Sequence, residues 1–244
     1  GSFLFEIQVR PTLTHLALMA MSGFFLMCGH YFIFLAYRLG NARVVAGEPR
    51  LPRQGVGRRH ELADVQNPRA ALFGCSDSRL AAEIIFDKGL GDLFVVRNAG
   101  QVVSDSVVGS LEYAVAVLEV SLIVVLAHDA CGAVRAAIDS TGMDAPALPP
   151  HIWRQIAPIV PSVRRVMRAN PGTTAETVNP EDVGRAHLRE TVTSILQSSE
   201  LISDAVASGR LAIVGSNYRL AEGTAFPDVV VGDVGDTKKE GTTT

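Results

Sequence analysis

The chain has 244 residues, of which 48% are hydrophobic and 19% charged, so it is long enough for one large domain and too apolar for a disordered one. Its net charge of -3 lacks the basic footprint of a nucleic-acid binder. Three cysteines, Cys28, Cys75 and Cys131, are too few and odd in number for a disulfide-stapled secreted domain. Cysteines left free for metal or chemistry in a reducing compartment fit better.

Residues 13–37 contain no Asp, Glu, Lys or Arg, and the run exceeds the about 20 apolar residues that cross a bilayer. Two readings stay open. It is a packing arm against a neighbouring subunit, the reading we favour because a soluble domain accounts for the remaining length, or it is a membrane anchor. A basic segment follows, with Arg38, Arg43, Arg50, Arg53, Arg58 and Arg59. Positive charge stays inside, so an inner-membrane anchor would leave the folded domain in the cytoplasm. Both readings predict a cytoplasmic location. The predicted organisation is an apolar segment over 1–36, one domain over 37–236 and a polar tail over 237–244.

From Ala70 short apolar runs alternate with helical stretches. AALFG at 70–74 reads as a buried strand, followed by a helix near Leu80 to Lys88 and a strand LFVV at 93–96. A helix near Val107 to Leu118 and a strand SLIVVLA at 121–127 come next. Residues 139–182 hold Pro146, Pro149, Pro150, Pro158, Pro161, Pro171 and Pro180, which predicts an irregular excursion with one short helix around Trp153. A helical period returns over Glu181 to Ser208, with Leu188, Val192, Ile195, Leu196 and Ile202 as core positions. Gly209 ends it, and LAIVGSNY at 211–218 reads as another buried strand. Continuous apolar runs joined by helical crossovers predict an α/β fold: a mostly parallel sheet of about four to five strands flanked by helices.

Two strings carry chemistry, and each directly follows a strand, where open α/β sheets build their sites. The first is CSDSR at 75–79, in which alternation lets Cys75, Asp77 and Arg79 face one cavity. The second begins at His128 and reaches Cys131. Two thiolates and an imidazole form a ligand set that zinc accepts, and three protein ligands leave a fourth position for water or substrate. Asp77 beside such a water would orient it, and Arg79 would keep the carboxylate ionised and aimed. The same Asp77 could instead become a fourth ligand, giving a closed state. Taken singly, Cys75 and Cys131 are more often core packing than ligands; the combination with His128 favours the metal.

CSDSR followed by HxxCGA at 128–133, with VVRNAG at 95–100 and EYAV at 112–115, resembles the signature of the bacterial β-class carbonic anhydrases, and LGNARVVAG at 39–47 is similar to that family's N-terminal motif. The resemblance implies zinc held by Cys75, His128 and Cys131, an Asp77–Arg79 catalytic dyad, and a substrate cleft lined by Gln66, Phe94 and Tyr113. It implies reversible hydration of carbon dioxide to bicarbonate by a homodimer or homotetramer. Ala127 stands where the family has Gly before the zinc His, which is expected to tighten the turn there, and Val44 replaces a Phe. Leu72 stands at the Trp position that, with an Arg, holds inhibitory bicarbonate in some members, so Arg97 reads as structural. The alternatives are a carbonyl sulfide or carbon disulfide hydrolase on the same scaffold, and a non-catalytic membrane-associated module binding zinc or bicarbonate.

Overall fold

The computed structural model describes residues 56–234. The predicted segment 1–36, the motif at 39–47 with Val44, and the tail 237–244 lie outside the described residues. After a short helix α1 (Val56–Glu61), the chain lays down β1 (Ala70–Cys75), α2 (Ala82–Ile85), β2 (Leu93–Asn98), α3 (Asp105–Ala116), β3 (Leu122–His128) and α4 (Gly132–Asp139). Helices α5 (Pro150–Ile156), α6 (Val160–Ala169), α7 (Pro180–Ser198) and α8 (Glu200–Ala207) follow, then strands β4 (Ala212–Arg219) and β5 (Thr224–Val231). No helix of the described residues is long and apolar enough to cross a membrane.

The strands form one sheet in the order β2-β1-β3-β4-β5. All neighbours are parallel except β5, which runs antiparallel to β4. The predicted α/β class and mostly parallel sheet are therefore present. Strand alternation divides the core in two. Ala71, Phe73, Ile123, Val125 and Ile213 point to one face and meet Leu111 of α3, Leu188 and Ile195 of α7 and Ile202 of α8. Leu72 and Leu126 point to the other and meet Val134 and Ile138 of α4, Ile156 of α5 and Val163 of α6. Burial on both faces is why β1 reads as an unbroken apolar run.

The order places the site. From β1 the chain crosses to β2 on one side, then returns to β3 on the other, so the order reverses between β1 and β3. A crevice opens at the carboxyl ends of strands at such a switch point. Cys75 ends β1 and His128 ends β3.

Several local expectations are corrected. The stretch 80–88 is helical only over α2. The excursion holds more than one helix: α5 is continued by a 3₁₀ turn (Ala157–Ile159) and by α6. Its prolines start helices instead of excluding them, since each of the three segments has Pro in its first turn, where the missing N–H costs nothing. The predicted helix over 181–208 breaks at Ser199, whose side chain accepts from the Ile202 N–H and caps α8. Leu188, Val192, Ile195 and Ile202 are buried as expected, while Leu196 is half-buried. Ala127 lies inside β3 in the core, so it tightens no turn; the turn after His128 is made by Ala130 at φ +48°.

Candidate metal centre

Cys75 and His128 come from neighbouring strand ends, and Cys131 stands immediately before α4. The three are buried, with their ligand atoms within 4.8 Å of one another. The Cys75 and Cys131 sulfurs are 4.0 Å apart. His128 Nδ1 lies 2.8 Å from the Asp129 carbonyl. A carbonyl only accepts, so the ring proton is on Nδ1 and Nε2 presents a bare lone pair. That Nε2 is fully buried without a hydrogen-bond partner, which costs free energy unless a Lewis acid takes the lone pair.

The thiols tell the same story. Hydrogen bonding from Cys131, helped by the Gly100 N–H, holds the Cys75 thiol well below its ordinary range against the opposing effect of burial. Cys131 is pushed up by that same hydrogen bond and by burial. One site therefore holds one thiolate easily, and a second negative charge beside it calls for a cation. Two soft sulfurs and an imine nitrogen at these separations fit zinc, with a position left for a further ligand.

Asp77 and Arg79 meet beside this cluster. Arg79 Nε donates to Asp77 Oδ1 at 2.9 Å and Nη2 to Oδ2 at 2.7 Å, while the Arg79 backbone N–H reaches Oδ1 at 3.0 Å. Arg79 Nη2 also donates to the Ala130 carbonyl at 3.2 Å, tying the first string to the turn of the second. The Arg79 guanidinium holds the Asp77 carboxyl well below the usual carboxylate range. Asp77 Oδ2 lies 3.9 Å from His128 Nε2. The carboxylate thus sits on Arg79. Arg97 donates to the Cys75 carbonyl at 2.9 Å and to the Asp77 carbonyl at 2.7 Å, so it braces the loop, in line with a structural role.

Of the remaining predicted residues, Phe94 on β2 and Tyr113 on α3 come together, with ring centroids 6.1 Å apart and tilted by 35°. Tyr113 is 44% exposed. Gln66 is exposed in the loop before β1. A cavity of about 330 Å³ lies against His128 and Cys131, closed by Arg135, Glu181, Gly184 and Asn217. His187, which no metal spacing placed, is buried on α7 with Nε2 2.7 Å from the Gly100 carbonyl. The 87 residues between them left no local signal of that contact.

The family model for carbonic anhydrase matches residues 70–225, from the first residue of β1 into β5, and so takes in all three candidate ligands. The chain belongs to the β-carbonic anhydrase family. A carbonic anhydrase of Mycolicibacterium smegmatis is 45% identical over 202 residues, covering 82% of this chain and 94% of that relative. Carbonic anhydrase 2 of Mycobacterium tuberculosis is similar to the same extent, 45% over 202 residues with 82% and 94% covered. Among solved structures, the Coccomyxa β-carbonic anhydrase in complex with acetazolamide has a TM-score of 0.61 at 23% identity over 71% of this chain and 78% of that one. A tetrameric β-carbonic anhydrase of Sordaria macrospora has a TM-score of 0.60 at 22% identity over 72% of this chain and 92% of that one. These two likenesses show the fold. The enzyme is thus a carbonate dehydratase, and zinc is its cofactor.

Proposed function

We propose that the enzyme interconverts carbon dioxide and bicarbonate at zinc held by Cys75, His128 and Cys131, with Asp77 and Arg79 as the catalytic dyad. The observation that carries this assignment of roles is the pairing of an unpartnered, buried His128 Nε2 with a carboxylate clamped 3.9 Å away. Bound there, zinc supplies the Lewis acidity that makes water a nucleophile near neutral pH.

The protein's part follows from counting lone pairs. Each carboxylate oxygen accepts about two hydrogen bonds. Asp77 Oδ1 takes two, from the Arg79 backbone and Nε, whereas Oδ2 takes one, from Nη2. The acceptor left over is on Oδ2, the atom facing His128 Nε2. Asp77 is therefore placed to accept the proton of a nucleophilic water and to fix its orientation, and Arg79 keeps it ionised while it does so. In the same reading Gln66, Phe94 and Tyr113 line the substrate cleft, the two packed rings offering apolar surface to carbon dioxide.

A homodimer is the smallest active unit in this reading, and a homotetramer is the alternative. It is supported by the exposed apolar side chains Val65, Ile84, Leu90, Tyr113 and Val117. The enzyme acts in the cytoplasm, with residues 13–37 as a packing arm or, in the second reading, an inner-membrane anchor. Stopped-flow hydration of carbon dioxide by zinc-loaded protein tests the activity. Turnover that falls on chelation and returns with zinc supports it, and a zinc-loaded protein without turnover refutes it. Sedimentation of the full chain and of a variant lacking residues 1–36 tests the arm.

A further inference from the structure

We propose that His187 is a positioning residue for the metal centre, gripping the Gly100 carbonyl so that the Gly100 N–H stays aimed at Cys75 Sγ. The inference rests on the zinc-site reading above and extends it to a helix that contributes no ligand.

The Gly100 N–H donates to Cys75 Sγ at 3.3 Å. It leaves from an unusual piece of backbone. Gly100 and Gln101 are both left-handed, at φ +79° and +42°, and Gln101 is a non-glycine residue only 1% exposed. A Cβ on Gly100 would lie 2.8 Å from Ala133 Cβ and 2.9 Å from Ile159 Cδ1, so the strand end is wedged against α4 and the 3₁₀ turn. Two adjacent left-handed residues cost free energy and persist only where their surroundings enforce them.

Side chains do the enforcing. The Asn98 side chain brackets Val102, accepting from its N–H at 2.8 Å and donating to its carbonyl at 2.7 Å. Gln155 Nε2 donates to the Ala99 carbonyl at 2.9 Å, on the same peptide whose N–H meets the sulfur. His187 Nε2 donates to the next carbonyl, Gly100, at 2.7 Å. Thr191 Oγ1 reaches the one after, Gln101, at a long 3.4 Å, and its shorter bond of 2.9 Å goes to the His187 carbonyl within α7. Two strong donors thus hold the peptides on either side of the Gly100 Cα, and a polarised peptide is a better donor to the thiolate.

His187 is an expensive way to do this. Its Nδ1 is buried without a partner, so the residue carries an unpaid desolvation cost that an apolar side chain in the same helix would avoid. Burial pushes its pKa down, which keeps the ring neutral with the proton on Nε2, the tautomer that the Gly100 carbonyl requires. The partners of metal ligands typically change metal affinity or activity 10- to 100-fold when removed.

The test uses cobalt-substituted and zinc-loaded full-length enzyme in four variants: His187→Leu, His187→Gln, Gln155→Leu and Thr191→Val. Losing the N–H···S bond leaves more charge on the thiolate. The thiolate-to-cobalt absorption band should therefore move to longer wavelength in His187→Leu, with zinc retention against a chelator falling about 10-fold or more. Gln155→Leu, at a half-buried position that tolerates change, should shift the band the same way by less. His187→Gln keeps a donor near the position of Nε2 and should restore the wild-type band. Thr191→Val should lower the melting temperature without moving the band. If His187→Leu does not fold, His187→Phe, which also lacks a donor, is compared with His187→Gln: a shifted band in Phe alone supports the proposal, and the same band in both overturns it. A wild-type band in folded His187→Leu, or an equal shift in Thr191→Val, overturns the proposal. Failure of the wild-type protein to take up cobalt or zinc overturns the site reading instead.

Discussion

Replacing Asp77 by Asn removes one charge and exchanges one oxygen for an NH₂ without changing the shape, so its effect can be worked from the contacts. Whichever way the amide turns, its NH₂ faces an Arg79 donor, because Oδ1 receives Nε at 2.9 Å and Oδ2 receives Nη2 at 2.7 Å. At least one charge-assisted bond is lost, at about 1.5–3 kcal/mol. The free acceptor on Oδ2 either disappears or belongs to a neutral, weakly basic amide. General-base steps contribute about 10²–10⁴-fold. A loss of about 10³-fold in turnover, about 4 kcal/mol in barrier, is therefore expected. Zinc content should stay at the wild-type level, since Asp77 lies outside the Cys75–His128–Cys131 cluster. Stopped-flow hydration across pH 7 to 9, with metal analysis of the same sample, measures both. Turnover within about threefold of wild type would refute the role given to Asp77.

Cys75→Ser, His128→Ala and Cys131→Ser should each lose zinc and turnover together, because two ligands do not retain the metal; metal analysis after gel filtration checks this. Gly100→Ala should destabilise the fold by about 1–3 kcal/mol in chemical denaturation, since its φ of +79° and contacts of 2.8 and 2.9 Å leave no room for a methyl. His187 predicts a pH effect of definite sign. Its folded pKa is depressed chiefly by burial, with the Gly100 hydrogen bond, Glu190 and Cys75 opposing. The unfolded chain therefore binds the extra proton, and stability falls as pH drops below about 6.5. Thermal melts between pH 5 and 8 should show that slope reduced in His187→Gln, and an unchanged slope would contradict it.

What the sequence disclosed depended on contiguity. The parallel strands announced themselves as short apolar runs, most completely in β1, AALFGC, which is buried on both faces in the interior of the sheet. The metal cluster was visible because both strings sit at strand ends, so local motif and global topology agree. β5 was not named, since none of its residues is fully buried, its half-buried and exposed residues follow no regular alternation, and it carries Pro227 beside a register shift at Gly215/Ser216. The helices after residue 149 were underestimated because proline was read as a breaker where it starts a helix. Phe94, Tyr113 and Gln66 came only through resemblance: nothing in the residue types separates an exposed Tyr on α3 from an ordinary surface aromatic. The cradle of Gly100 was invisible in principle, because its donors arrive from Gln155 and His187, 56 and 87 residues from the carbonyls they hold.

The central claim is that Cys75, His128 and Cys131 hold one catalytic zinc. Its most direct test is a titration of chelated full-length enzyme with zinc, following carbon dioxide hydration by stopped flow. Activity should rise linearly and saturate at one equivalent per chain, and the Cys131→Ser protein should stay inactive throughout. Full turnover in the metal-free enzyme, or saturation unaffected by Cys131→Ser, would contradict it.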